Sequence, residues 1–112
     1  MINDIQNYID SATDQRRDLY LQVVAKLKEL LPDISTKMAY GVIKYFNSKG
    51  YIYLGYWKGG VSIYPGNTTG IAQFRERNPQ IKTRIGTINL RLTDQIPWDE
   101  LLLVFKESFK LS

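Results

Sequence analysis

The 112-residue chain contains neither cysteine nor histidine. Without cysteine there is no disulfide, no thiolate nucleophile and no sulfur ligand for a soft metal. Without histidine there is no imidazole to serve as acid, base or zinc ligand near neutral pH. A metal bound here would take carboxylates, carbonyls and water, the donors that suit hard cations and iron in oxygen coordination. Long apolar runs are scarce too. The longest, residues 101–105, falls far short of the ~20 residues that cross a bilayer. The opening residues 1–4 show neither the basic start nor the following apolar stretch of a secretory leader. The expectation is therefore no membrane association and a cytoplasmic setting.

What is present reads as one globular domain over residues 1–112. Apolar residues make up 44% and charged residues 23%, a balance that can bury a core without staples. The net charge of +4 is scattered along the chain; it permits an anionic partner, but on its own it serves solubility.

The most ordered pattern lies in residues 51–64. Two runs rich in aromatic and β-branched residues flank Gly59-Gly60, which predicts a hairpin with that pair as its loop. Lys58 then opposes Val61, Trp57 opposes Ser62, and Tyr56 opposes Ile63. One face collects Ile52, Leu54, Tyr56, Val61 and Ile63; the other collects Tyr51, Tyr53, Gly55, Trp57, Ser62 and Tyr64.

Around this hairpin the period changes several times. Ile2, Ile5, Tyr8 and Ile9 suit a short leading helix. Ser11 with Asp14 resembles a capping box that restarts the chain as a second helix, with Leu19, Val23, Leu27, Leu30 and Leu31 on one stripe and a stop at Pro32. Residues 34–40 alternate with period two, Gly41 permits a bend, and residues 43–46 form a short strand. Asn67 or Thr68 can cap a third helix that ends at Asn78-Pro79. Residues 87–92 alternate as a last strand, and Pro97 with Asp99 and Glu100 opens a final helix that buries Trp98, Leu101, Leu102, Phe105, Ser108 and Phe109. The sum is an α+β two-layer sandwich, a twisted antiparallel sheet with helices on one face. The helices should cover the aliphatic side and leave the tyrosine side open.

Two polar segments bear on the chemistry. Residues 82–87 hold Lys82, Thr83, Arg84, Gly86 and Thr87. As a loop they could cradle a phosphate or carboxylate through backbone N–H groups and Lys82 or Arg84, or simply lead into the last strand. They lack the ending of a nucleotide P-loop. Residues 49–56 fit the aromatic-and-basic strand of an RNA-recognition module at most positions, with Tyr51 and Tyr53 on one face. That module opens with a strand bearing a second aromatic motif, and this chain opens with two helices, which argues against specific nucleic-acid binding. Catalysis has the least support: there is no nucleophile elbow, and Asp99-Glu100 is explained by its helix start.

With these landmarks placed, the chain resembles the YdhG-like family, a small domain of unknown function. The resemblance spans nearly the whole chain. It rests on Tyr8-Ile9-Asp10, Tyr40-Gly41, Tyr64-Pro65-Gly66, Lys82-Thr83, Gly86-Thr87-Ile88 and Pro97 in this order. Two positions depart from the family pattern: Val42-Ile43 stands where Met-Pro is usual, and Ile85 where a lysine commonly precedes the glycine. The resemblance implies a frataxin-like fold. Some members are described as intracellular iron chaperones, which would need a carboxylate cluster here. Asp10, Asp14 and Asp18 are spaced i, i+4, i+8, as one continuous helix would align them. Against this, Ser11 breaks the helix, Asp14 suits a helix first turn, and Arg16 and Arg17 would repel a cation.

Together these features predict a non-enzymatic binding or carrier domain without a resident cofactor. Its site is the open sheet face, with Tyr53, Trp57 and Tyr64 as floor, Tyr40 at the edge, and Lys82, Thr83 and Thr87 as polar contacts for a small polar or anionic ligand. Iron carriage by the three acids, or a homodimer or other protein partner on the tyrosine face, are the alternatives.

Overall fold

The computed structural model describes residues 4–12 and 15–111; Ile2 and Asp14, named above, lie outside the described residues. Four helices and six strands follow in the order α1 (Asp4–Asp10), α2 (Gln15–Leu30), β1 (Ser35–Ala39), β2 (Val42–Phe46), β3 (Tyr51–Trp57), β4 (Gly60–Pro65), α3 (Thr69–Arg77), β5 (Lys82–Arg84), β6 (Thr87–Arg91) and α4 (Trp98–Ser108). The strands pair antiparallel in the order β1-β2-β3-β4-β6-β5.

Helix ends follow local chemistry. The Ser11 hydroxyl donates to the Tyr8 carbonyl at 2.6 Å, so it closes α1; this differs from the expected cap on α2, whose other half, Asp14, is outside the described residues. Of the two candidate caps on α3, Thr68 holds the capping position without a side-chain bond, and Asn67 before it accepts the Thr69 N–H at 2.9 Å as an Asx turn into the helix. That helix stops where both the backbone and side-chain N–H groups of Asn78 reach the Phe74 carbonyl, at 2.8 and 3.1 Å.

The first hairpin turns at Tyr40-Gly41, with Ala39 opposite Val42. Both turn residues have positive φ, 54° and 78°, the type I′ geometry whose twist matches that of the strands it joins. The central hairpin turns one residue earlier than the sequence implies. Trp57 pairs with Gly60, Tyr56 with Val61 and Leu54 with Ile63, so the loop is Lys58-Gly59 and Gly60 belongs to β4. The partners move by two along β4. An even shift leaves every side chain on its expected face. Gly60 is drawn into the strand because it lies directly against β6, where a Cβ would run into the Leu90 carbonyl.

A second difference concerns residues 82–84. The sequence reads as a loop, but Lys82, Thr83 and Arg84 pair with Asn89, Ile88 and Thr87 as the edge strand β5. Arg75 of α3 ties this strand down, its Nε donating to Thr83 Oγ1 at 2.8 Å and its Nη2 to the Arg84 carbonyl at 2.9 Å.

The core lies between the helices and one sheet face. Ile43, Ile52, Leu54, Val61, Ile63, Ile88 and Leu90 are buried from the sheet side. Tyr20, Val23, Leu27, Ile71, Phe74, Leu101 and Phe105 are buried from the helices. The eight tyrosines divide by face. Tyr8, Tyr20, Tyr45 and Tyr56 pack together on the helix side, where the Tyr56 hydroxyl donates to the Ile9 carbonyl at 2.7 Å and the Tyr8 hydroxyl accepts the Tyr56 N–H at 2.9 Å. These two bonds clasp α1 to the end of β3. Tyr40, Tyr51, Tyr53 and Tyr64 belong to the other side.

Candidate functional site

No helix covers the second face of the sheet, and its chemistry follows from register. Strands alternate, so pairing Lys37 with Lys44, Lys44 with Tyr53, Tyr53 with Tyr64, and Trp57 with Gly60 puts all of these side chains on one side. The pairs Ser62–Asn89 and Asn89–Lys82 extend that side to the far edge, where Arg84 and Thr87 face each other. Every lysine and arginine that lies in a strand (Lys37, Lys44, Lys82, Arg84 and Arg91) is on this open face. None of the six strands contains an aspartate or glutamate.

Aromatic rings occupy the ground between the cations. The Tyr53 ring meets Tyr40 at 5.8 Å and Tyr51 at 5.6 Å between centroids, both edge to face. Lys44 Nζ lies 5.0 Å from the Tyr51 ring, 5.4 Å from Phe46 and 5.9 Å from Tyr53, and Lys37 Nζ lies 5.4 Å from Phe46, all within cation–π range. Desolvation by its neighbours raises the Tyr53 phenol pKa, with the phenols of Tyr40 and Tyr51 adding in the same direction. Toward the opposite edge, Trp57 Nε1 donates to the Leu90 carbonyl at 3.0 Å. To reach β6 from β3 the indole crosses β4 at Gly60, and Lys82 Nζ sits 4.9 Å from its ring. Beside it the buried Ser62 hydroxyl donates to Asn89 Oδ1 at 2.8 Å.

Arg91 is committed, to Asp94 at 3.1 Å and to the Gln80 carbonyl at 2.7 Å. Lys37, Lys44, Lys82 and Arg84 form no ion pair among the described residues.

Of the residues the sequence singled out, Tyr53, Trp57, Tyr64, Lys82 and Thr87 share this face, and Tyr40 stands at its edge, 91% exposed. Thr83 does not. It pairs with Ile88 on the helix side, and its Oγ1 is taken by Arg75. Because residues 82–84 form a strand, their backbone does not make the anion-cradling loop considered above, and anion contacts here must come from side chains. Lys37, Lys44 and Phe46 belong to the face although sequence reasoning passed over them. Their signal was alternation with Met38, Ile43 and Tyr45, which are turned to the core side.

The acids are arranged differently. Asp10 accepts from Gln6 at 3.1 Å and pairs with Arg17 at 3.5 Å. Asp18 lies beside a cavity of ≈330 Å³ shared with Gln22, Arg91 and Asp94, and Asp14 is outside the described residues. No three metal-binding side chains converge among the described residues. Two further cavities, ≈340 Å³ between α3 and α4 and ≈430 Å³ beside the start of α3, likewise exclude Tyr53, Trp57, Tyr64 and Lys82. Among the described residues no helix is long and apolar enough to cross a membrane.

By sequence, neither a family model nor a curated protein matches the chain. By structure, the chain is similar to the crystal structure of YdhG from Bacillus subtilis, described as a protein of the DUF1801 family. The TM-score is 0.77 over 92% of this chain and 86% of that one, at 13% identity. At that identity the likeness speaks for the fold, and it is the α+β fold that the sequence resemblance implies.

Proposed function

We propose that this protein is a non-enzymatic binding domain whose open sheet face receives an anionic ligand bearing a flat, apolar part. The observation that carries the reading is the segregation of charge: all strand cations lie on the uncovered face, four of them lack an ion pair among the described residues, and the strands hold no carboxylate. Tyr40, Tyr51, Tyr53 and Trp57 supply stacking surface, while Lys37, Lys44, Lys82 and Arg84 supply charge. Neither role requires a bond to be broken. Iron carriage, which the family resemblance brings into view, has less support, since Asp10 is already engaged by Arg17. A dimer through the open face would set Lys37, Lys44, Lys82 and Arg84 of one copy against the same charges of the other.

A thermal-unfolding screen tests the proposal. The panel holds nucleotides, short single-stranded oligonucleotides, polyphosphate, sugar phosphates, dicarboxylates and ferrous iron. A ligand at a hundred times its Kd stabilises the folded state by about 2.7 kcal/mol, so an anion is expected to raise the melting temperature and to lose that effect in Lys44→Ala with Lys82→Ala. A panel in which no anion acts, or in which the double variant responds like the parent, overturns the proposal.

A further inference from the structure

We infer that the anionic ligand is a single-stranded nucleic acid, bound without sequence preference along a path that crosses the strands; this rests on the open face being the anion site. Shape is the first argument. Small molecules are held in concave pockets that bury most of their surface; the cavities described above touch this face only at its rim, through Tyr51 and Arg91, and none reaches Tyr53, Trp57, Tyr64 or Lys82. From Lys37 on β1 to Arg84 on β5 there are five inter-strand steps, ~24 Å at ~4.8 Å per step. A single strand laid across that path would span several nucleotides, in keeping with the ~4–16 that a single-strand-binding fold covers.

The order of chemistry across the face is the second argument. Lys37 and Lys44 lie at one edge and Lys82 and Arg84 at the other. The rings of Tyr51, Tyr53, Trp57 and Tyr64 occupy the two central strands between them. A polymer that alternates flat bases with anionic phosphates matches that order. Bases stack on exposed rings whatever their identity, and lysines track the backbone. Tyr51 and Tyr64 are 39% and 37% exposed, so ring surface is accessible. A duplex hides its base faces and would gain only the charge. A different connectivity normally builds such a platform, but here β3, β4 and the Tyr40 turn bring the rings to one face.

The test is fluorescence anisotropy of the full chain with a labelled oligouridylate of about twelve nucleotides, within the ~4–16 that a single-strand-binding fold covers. Competitors are a duplex of that length, heparin and uridine monophosphate. Binding is expected to weaken with salt, with a log–log slope of about −2.8 for four released phosphate contacts on a single strand. Tyr53→Ala is expected to cost roughly tenfold or more, while Tyr53→Phe binds within about twofold of the parent. Lys44→Ala should make the slope shallower by about 0.7. Heparin competing as well as the oligomer, with Tyr53→Ala harmless, overturns the inference and leaves a plain polyanion site. Uridine monophosphate binding as tightly as the oligomer overturns it and leaves a small-ligand site. If neither the oligomer nor heparin binds and the thermal panel finds no anion, both readings fall. A dimer abolished by Tyr53→Ala would give the face to a second copy and overturn the inference as well.

Discussion

Tyr45 donates its hydroxyl to Tyr20 across 3.2 Å, because the Tyr20 proton is already committed to the Leu54 carbonyl at 3.1 Å. The two phenols form a directed chain in the core between α2 and the centre of the sheet, and their order makes them unequal. Tyr20→Phe removes the bond to Leu54 and leaves the buried Tyr45 hydroxyl without a partner, at an expected cost of about 2–3 kcal/mol. Tyr45→Phe keeps the bond to Leu54 and should cost only about 1 kcal/mol. Urea midpoints at unchanged m-value read the difference directly. Equal costs would mean that the chain has no direction.

Burial also sets how this cluster responds to alkali. Desolvation is the largest cause in each case: it pushes Tyr45 and Tyr56 up to about 12, moves Tyr20 further the same way, and raises Tyr8. A phenol whose pKa is higher folded than unfolded holds its proton more tightly in the native state. Its stabilisation is complete below the unfolded value of about 10 and declines as pH rises beyond it. For Tyr45 and Tyr56 it is lost by the time pH passes about 12. The urea midpoint is therefore expected to fall above pH 10, with tyrosinate absorbance rising together with loss of structure. Tyr45→Phe should flatten that fall. Tyrosinate forming fully before any loss of structure would contradict the burial of the cluster.

Gly60 and Gly59 separate two kinds of crowding. A Cβ on Gly60 would meet the Leu90 backbone, whereas one on Gly59 would meet the Trp57 ring. Backbone paired in a sheet cannot yield without opening the β4–β6 ladder; a side chain at the surface can rotate, giving up its bond to Leu90. Gly60→Ala should cost about 3 kcal/mol and Gly59→Ala about 1 kcal/mol. Both should shift tryptophan emission, since each disturbs the Trp57 indole. Equal unfolding midpoints would show that β6 does not press on Gly60.

How much of this was legible in the sequence depended on the range of the interaction. The two faces of β3 and β4 could be read because alternation is local, and the misplaced loop did no harm since its consequence was an even shift. The edge strand β5 was not legible. Lys-Thr-Arg has the composition of a loop, and what makes it a strand is pairing with β6 and the grip of Arg75, eight and nine residues away from its partners. Lys37 and Lys44 were hidden for a related reason. Each alone is an ordinary polar residue on a half-buried strand; only sheet order sets them beside the Tyr51–Tyr53 rings and opposite Lys82 and Arg84. The charge segregation that defines the candidate site belongs to the register and to no single segment.

Tyr40 holds a conformation that its side chain disfavours. Its φ of 54° lies in the left-handed region, where a non-glycine residue costs roughly 1 kcal/mol and asparagine is better tolerated. Asn-Gly is the favoured pair for a type I′ turn. The Tyr40 ring gains little burial in return, being 91% exposed, yet it stands 5.8 Å from Tyr53 at the rim of the aromatic face. If that ring serves the ligand, stability and binding should move in opposite directions. Tyr40→Asn is expected to raise unfolding stability by about 0.5–1 kcal/mol and to weaken oligonucleotide binding severalfold. A stability loss would refute the turn geometry as the source of strain. Unchanged binding would remove Tyr40 from the platform and confine the site to Tyr51, Tyr53, Trp57 and Tyr64.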